Sequence, residues 1–153
     1  MARITILKDD LLLALDDHLL GSRWLLDLTT GTINYLPDDS DYVSGEEFDK
    51  LYELLEQDPG RFLHIEPAPS RIGFAIMEAF AEDVRNPNLR NRLFQALNSR
   101  HPFRYFKNVL CDDERVRQEY FAFQAQEMLA YAHEWLEEND IDAEVVSSMA
   151  EEK

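Results

Sequence analysis

Cysteine occurs once in this 153-residue chain, at Cys111, so no internal disulfide can form. That usage fits a reducing compartment, and the expected location is the cytoplasm. The five glycines are isolated from one another, which excludes a glycine-rich loop cradling phosphates. No apolar run approaches the roughly 18 residues of a membrane span. Ile4, Ile6 and Leu7 near the N-terminus do not make a cleavable signal pattern. Positive charge is the scarcest feature: 15 Lys and Arg stand against 31 Asp and Glu, a net charge of −16. Such a chain repels phosphate at long range, which argues against a bare, non-specific nucleic-acid binder, and no DNA partner is expected.

What is present is enough to fold. The hydrophobic fraction of 45% is ordinary and argues against disorder. The length suits one α+β domain, expected over residues 1–146, with a disordered tail at 147–153. The charge is uneven. Residues 1–84 carry a net −12, residues 85–117 a net +5 and residues 118–153 a net −9. A basic middle therefore lies between two acidic ends.

The centre of that basic region is Ser99-Arg-His-Pro-Phe-Arg-Tyr-Phe-Lys-Asn-Val-Leu110. Pro102 suits the first position of a helix, where its missing N–H is no loss. Phe103, Phe106 and Leu110 then share one face, and Arg100, Arg104 and Lys107 project beside them. A buried cysteine at 111 is expected to follow. Amides of the first helical turn and adjacent arginines together favour anions. Arg100, His101, Arg104, Tyr105 and Lys107, with Arg90 upstream, are the candidate binding residues. The competing expectation is that these cations are consumed by the chain's own carboxylates.

Elsewhere the elements follow from period and caps. A helix is expected at about 9–19, capped by Asp9 and ended by Gly21. Arg23–Leu28 and Thr32–Leu36 read as a hairpin, about 22–36, with Gly31 as the left-handed residue of its loop. Ser44-Gly-Glu-Glu47 is a capping box opening a second helix, with Phe48, Leu51, Tyr52 and Leu55 as its apolar stripe. A third strand is expected at about 61–66 and a candidate edge strand at 141–146. Together these give a small antiparallel sheet of three to four strands with five to six helices. Ser70 is expected to cap a helix at 71–85 that is apolar nearly all round and hence central. Asn86-Pro87 is a cap followed by proline at the first position of the next helix. A last, long helix at 114–139 should bury Val116, Tyr120, Phe121, Met128, Tyr131, Ala132 and Trp135. The expected core also holds Trp24, Phe74, Phe80, Phe94 and Phe106.

No catalytic constellation stands out. His18, His64, His101 and His133 are scattered, and no metal-ligand spacing occurs. Asp39 and Asp41 have calcium-loop spacing, but Val43, Ser44 and Lys50 occupy positions that need Asp or Asn, Gly and Glu. Neither metal nor cofactor is expected, and a non-enzymatic role is favoured.

The order of elements and the 99–110 stretch resemble the bacterial family catalogued as uncharacterised protein family 0158. Phe103, Arg104, Phe106 and Lys107 match its Gly-Arg-Gly-Ala-Phe-Arg-Arg-Phe-Lys-Asp motif. His101 and Pro102 replace its Gly-Ala pair, and Tyr105 replaces an arginine. The resemblance spans about residues 5–145 and implies no activity. Two functional readings stay open. One is an interaction or regulatory module whose basic aromatic helix receives an acidic protein or a phosphate-bearing or RNA partner. The other is a small enzyme acting on a phosphorylated metabolite, with His101 as acid–base and Arg104 as clamp.

Overall fold

Strand β2, Arg23–Asp27, is flanked on both sides. The computed structural model describes residues 3–18, 23–36 and 46–147, apart from the side chains of 46–48. Within it β2 pairs antiparallel with β3 (Ile33–Leu36) and β4 (Phe62–His64), giving the order β3-β2-β4. Trp24 stands opposite Tyr35, and Leu26 opposite Leu63. Six helices and five strands are present among the described residues, an α+β architecture. They form two compact units: Met1–Pro67 with Tyr131–Lys153, and Ala68–Ala130. The expectations at Gly21, at the 37–41 loop, at the Ser44 cap and Phe48, and for 148–153 lie outside the described residues.

The first unit holds the sheet. Leu25 and Leu36 are buried with Leu51 of α2 (Glu46–Gln57), and Tyr52, Leu55 and Phe62 pack against them. The hairpin turns at Leu28–Thr30, and Gly31 takes φ +83°, as expected of its left-handed place. A Cβ on Gly31 would stand 2.1 Å from the carbonyl oxygen of Thr5. Backbone therefore passes backbone there with no room for a side chain. Asp27, 5% exposed, is the buried charged side chain among the described residues. Arg61 donates from Nε to its Oδ1 at 2.9 Å and from Nη2 to its Oδ2 at 2.8 Å. The Thr29 amide donates to the same Oδ1 at 2.9 Å. Burial pushes the Asp27 carboxyl pKa up, but Arg61 and the Thr29 and Thr30 hydrogen bonds outweigh it and hold it below the ordinary value.

The 141–146 edge strand forms as β5 (Ala143–Val146), in a separate sheet. It pairs in parallel with β1 (Ile4–Leu7), placing Ile4 beside Ala143 and Ile6 beside Val145. Helix α1 runs over Lys8–Asp16 straight out of β1, with Leu7 at its cap and no side-chain cap bond. Asp9 lies inside the first turn and does not cap. Leu11, Ala14 and Leu15 are buried. After the long helix α6 (Glu114–Glu138), Asp140 adopts φ 57°, and the Ile141 amide donates to the Leu136 carbonyl at 2.9 Å. That pairing closes the helix end and turns the chain toward β5.

The second unit is helical: α3 (Ser70–Glu82), α4 (Pro87–Leu97), α5 (Pro102–Leu110) and the first part of α6. The Asn86 Oδ1 accepts from the amides of Asn88 and Leu89, and Pro87 opens α4, as the residue types require. Ser70 falls inside α3 with no side-chain cap bond, so its expected capping role is not observed. Helix α3 is also less enclosed than expected: Ile76, Met77 and Ala81 are buried, but Ala75 and Ala79 are exposed. Phe106 and Tyr120 form the aromatic core, ring centroids 5.2 Å apart, with Phe80 edge-on to Tyr120 at 5.2 Å.

Of the expected core, Trp24, Phe74, Phe80, Phe94, Val116, Tyr131 and Trp135 are half-buried, and three further burial expectations are reversed. Phe121 is 39% exposed because the adjacent Tyr120 takes the inward direction, and the Arg117 guanidinium lies 5.1 Å from its ring centroid. Phe103 is 40% exposed, its ring edge reaching toward Gly73 of α3, where a Cβ would meet it at 3.2 Å. Cys111 is exposed because α5 ends at Leu110 and leaves it at the cap. No helix among the described residues is long and apolar enough to cross a membrane.

Candidate functional site

Helix α5 is positioned by two anchors. Phe106 and Leu110, 0% and 1% exposed, lie one turn apart and fix which way the other positions point. Pro102 occupies the first position, and His101 stands at the cap without a side-chain cap bond. The Ser99 Oγ donates to the Ala96 carbonyl at 2.6 Å, tying the short connection to the end of α4. Arg104, Tyr105, Lys107 and Asn108 are consequently exposed, as are Arg100 and His101.

Three of the expected residues meet on the surface. The Arg104 guanidinium lies 5.1 Å from the Tyr105 ring centroid, and its Nη2 donates to the Tyr105 hydroxyl at 3.3 Å. The His101 and Tyr105 rings, one turn apart, have centroids separated by 6.1 Å. Arg100, Arg104 and Lys107 make no ion pair with any described carboxylate. Arg90 stands apart: it is half-buried and donates from Nη1 to the Val84 carbonyl at 3.1 Å, satisfying the chain just past α3.

A shallow groove of about 310 Å³ runs between α4 and α5. Ala96 and Val109 are its apolar lining, and Tyr105, Gln95, Ser99, Asn108 and Arg92 its polar lining. Arg92 pairs with Asp112. A larger cavity of about 550 Å³ in the same unit is lined by Asp83, Arg85, Asn86, Asp113 and Arg115 among others, and by none of the six expected residues. No group of three or more His, Cys, Asp or Glu among the described residues could hold a metal ion.

The pattern of one buried aromatic between outward cations is what the sequence motif describes. The model of the uncharacterised protein family UPF0158 matches residues 1–152. The chain belongs to this family. A UPF0158 protein of Pseudomonas aeruginosa is 34% identical over 142 residues, which cover 92% of this chain and 87% of that relative. No solved structure matches. In this UPF0158 chain the four motif positions divide by role. Phe106 is buried, Phe103 is partly covered, and Arg104 and Lys107 face outward.

The groove side of the UPF0158 surface was not legible beforehand. Gln95 lies on α4 and reaches the groove only because α4 and α5 pack side by side. The spacing of Gln95, Ser99 and Asn108 carries no local signature. The one available hint was Asn108, a polar residue next to the cations of α5.

Proposed function

We propose that this protein is a non-catalytic interaction or regulatory module, and that the outward face of α5 receives an acidic protein or a phosphate-bearing partner. The observation that carries the reading is the freedom of the cations. In a chain with 31 acidic residues, Arg100, Arg104 and Lys107 reach solvent with no described carboxylate beside them. Arg104 is also held against Tyr105, so its planar fork loses less freedom when it captures an anion. The acidic remainder of the chain repels polyanions that lack a matching surface. Cytoplasmic residence goes with this reading, because a lone exposed cysteine suits a reducing compartment.

The enzymatic alternative would place His101 and Arg104 at the mouth of an enclosed pocket facing a further polar group. Both are exposed, and neither lines the groove or the larger cavity. That geometry favours a contact surface.

The test is one variant with two readouts. Arg104→Ala should unfold within roughly 1 kcal/mol of wild type, because the side chain is exposed. It should also lose the salt-sensitive partner recovered with the wild-type protein from cells at low ionic strength. A stable variant with undiminished recovery removes Arg104 from the interface.

A further inference from the structure

We infer that the α4–α5 groove takes an unpaired base of a single-stranded nucleic acid, with the neighbouring phosphate on Arg104. The inference rests on the reading of α5 as an anion-receiving face and names the chemistry of its partner. Three observations favour a nucleotide over an acidic peptide. First, the Tyr105 ring lines the groove while Arg104 lies over the same residue, so a stacking surface and a cation are adjacent. Base–aromatic stacking beside a cation is the usual way unpaired strands are held. Second, the groove carries the side-chain amides of Gln95 and Asn108, each offering both a donor and an acceptor. A base edge presents both in return, whereas the side-chain carboxylates that distinguish an acidic peptide only accept. Third, Ala96 and Val109 give the groove an apolar lining that suits a flat ring.

Charge sets the selectivity. Residues 85–117 carry a net +5 within a chain of −16. Contact with a strand is favourable on this face and opposed elsewhere, so the footprint should be short and strongly salt-dependent. A duplex offers phosphates but no free base, so it gains only the electrostatic part.

The experiment is fluorescence anisotropy with the full chain at low salt. The probes are a labelled mixed-sequence 12-nucleotide RNA, the same sequence as single-stranded DNA, its duplex, and a labelled oligoglutamate peptide. The expected result is that a single strand binds and that salt weakens it. Tyr105→Ala should weaken it about 5- to 150-fold, the range of one lost stacking contact. Tyr105→Phe, which keeps the ring, should stay within about threefold of wild type, a smaller loss than a full stacking contact. Whether RNA or DNA binds more tightly names the source of the strand. Because Tyr105 is exposed, both variants should keep the wild-type melting temperature, which circular dichroism checks. Equal binding of duplex and single strand, or no effect of Tyr105→Ala, overturns the base-in-groove inference. Binding of oligoglutamate without any strand also overturns it, but leaves the anion-receiving face standing. Binding of no probe overturns the inference, and undiminished cellular recovery by Arg104→Ala is what would separately remove Arg104 from that face.

Discussion

Arg61 and Asp27 lie 34 positions apart in sequence, and the guanidinium grips both oxygens of the carboxylate. The pair joins the end of β2 to the start of β4, and the Leu28 amide donates to the Arg61 carbonyl at 2.8 Å beside it. Because Asp27 is 5% exposed, the contact is sheltered from solvent in a way that the other ion pairs among the described residues, which are exposed, are not.

Asp27→Asn should therefore lower unfolding stability by about 1.5–3 kcal/mol, the worth of hydrogen bonds to a charged group. The sign of its pH dependence follows from the lowered pKa. Stability from Asp27 is fully present above the unfolded value of 3.8 and is lost as pH falls through the lower folded value. Urea titrations of wild type and variant should show a constant gap near neutrality that narrows below pH 3.8. A gap that widens on acidification contradicts the assignment.

Gly31→Ala should be costly for two reasons acting together. The residue sits at φ +83°, and the added Cβ would meet the Thr5 carbonyl oxygen at 2.1 Å. Backbone strain alone is worth about 1–2 kcal/mol, and β1 must also move. The expected total loss is about 2–4 kcal/mol in denaturant titration. Asn at the same position should not rescue it, because the clash begins at Cβ.

Phe106 and Phe121 make a matched comparison. Phe106→Ala should cost about 3–5 kcal/mol, since the ring is fully buried against Tyr120. Phe121→Ala should cost less than about 1.5 kcal/mol, since only part of its apolar area leaves water on folding. Equal losses would mean that the two rings are equally enclosed.

Cys111 should react in the native protein. Its thiol is exposed, so an aromatic disulfide reagent should titrate one equivalent without denaturant. A thiol that reacts only after unfolding would restore the buried state expected from sequence.

The features that were legible share a local cause. Asn86 and Pro87 are a cap and a first-turn proline in adjacent positions, and Gly31 declares its φ by residue type. Helix α5 could be drawn from Pro102 and the spacing of Phe106 and Leu110. The misreadings arise where period alone had to choose a direction. Tyr120 and Phe121 are neighbours about 100° apart on one helix, and only tertiary packing decides which turns inward. Cys111 follows an apolar helix face, but the helix stops one residue earlier. The Asp27–Arg61 pair, the parallel partner of β5 and the place of Gln95 all depend on long-range contact, which leaves no mark in a local window. The candidate residues follow from the basic stretch and from the stacking capacity of Tyr105, and only the fold separates Arg90, spent on Val84, from the outward Arg104 and Lys107 of α5.

The parallel pairing of β1 with β5 has a consequence for how the protein is made. Arg3 reaches Ala143 across 140 positions, so β1 is synthesised well before the strand it pairs with. Until β5 follows, Ile4 and Ile6 carry an unmatched ladder of backbone groups. Residues 68–130, by contrast, are contiguous and depend on no late-arriving strand. Closing so long a loop carries an entropic cost that local helices escape. The nascent chain is thus exposed to aggregation at β1 until β5 has been made, and the completion of that small sheet is the step a holding chaperone would protect.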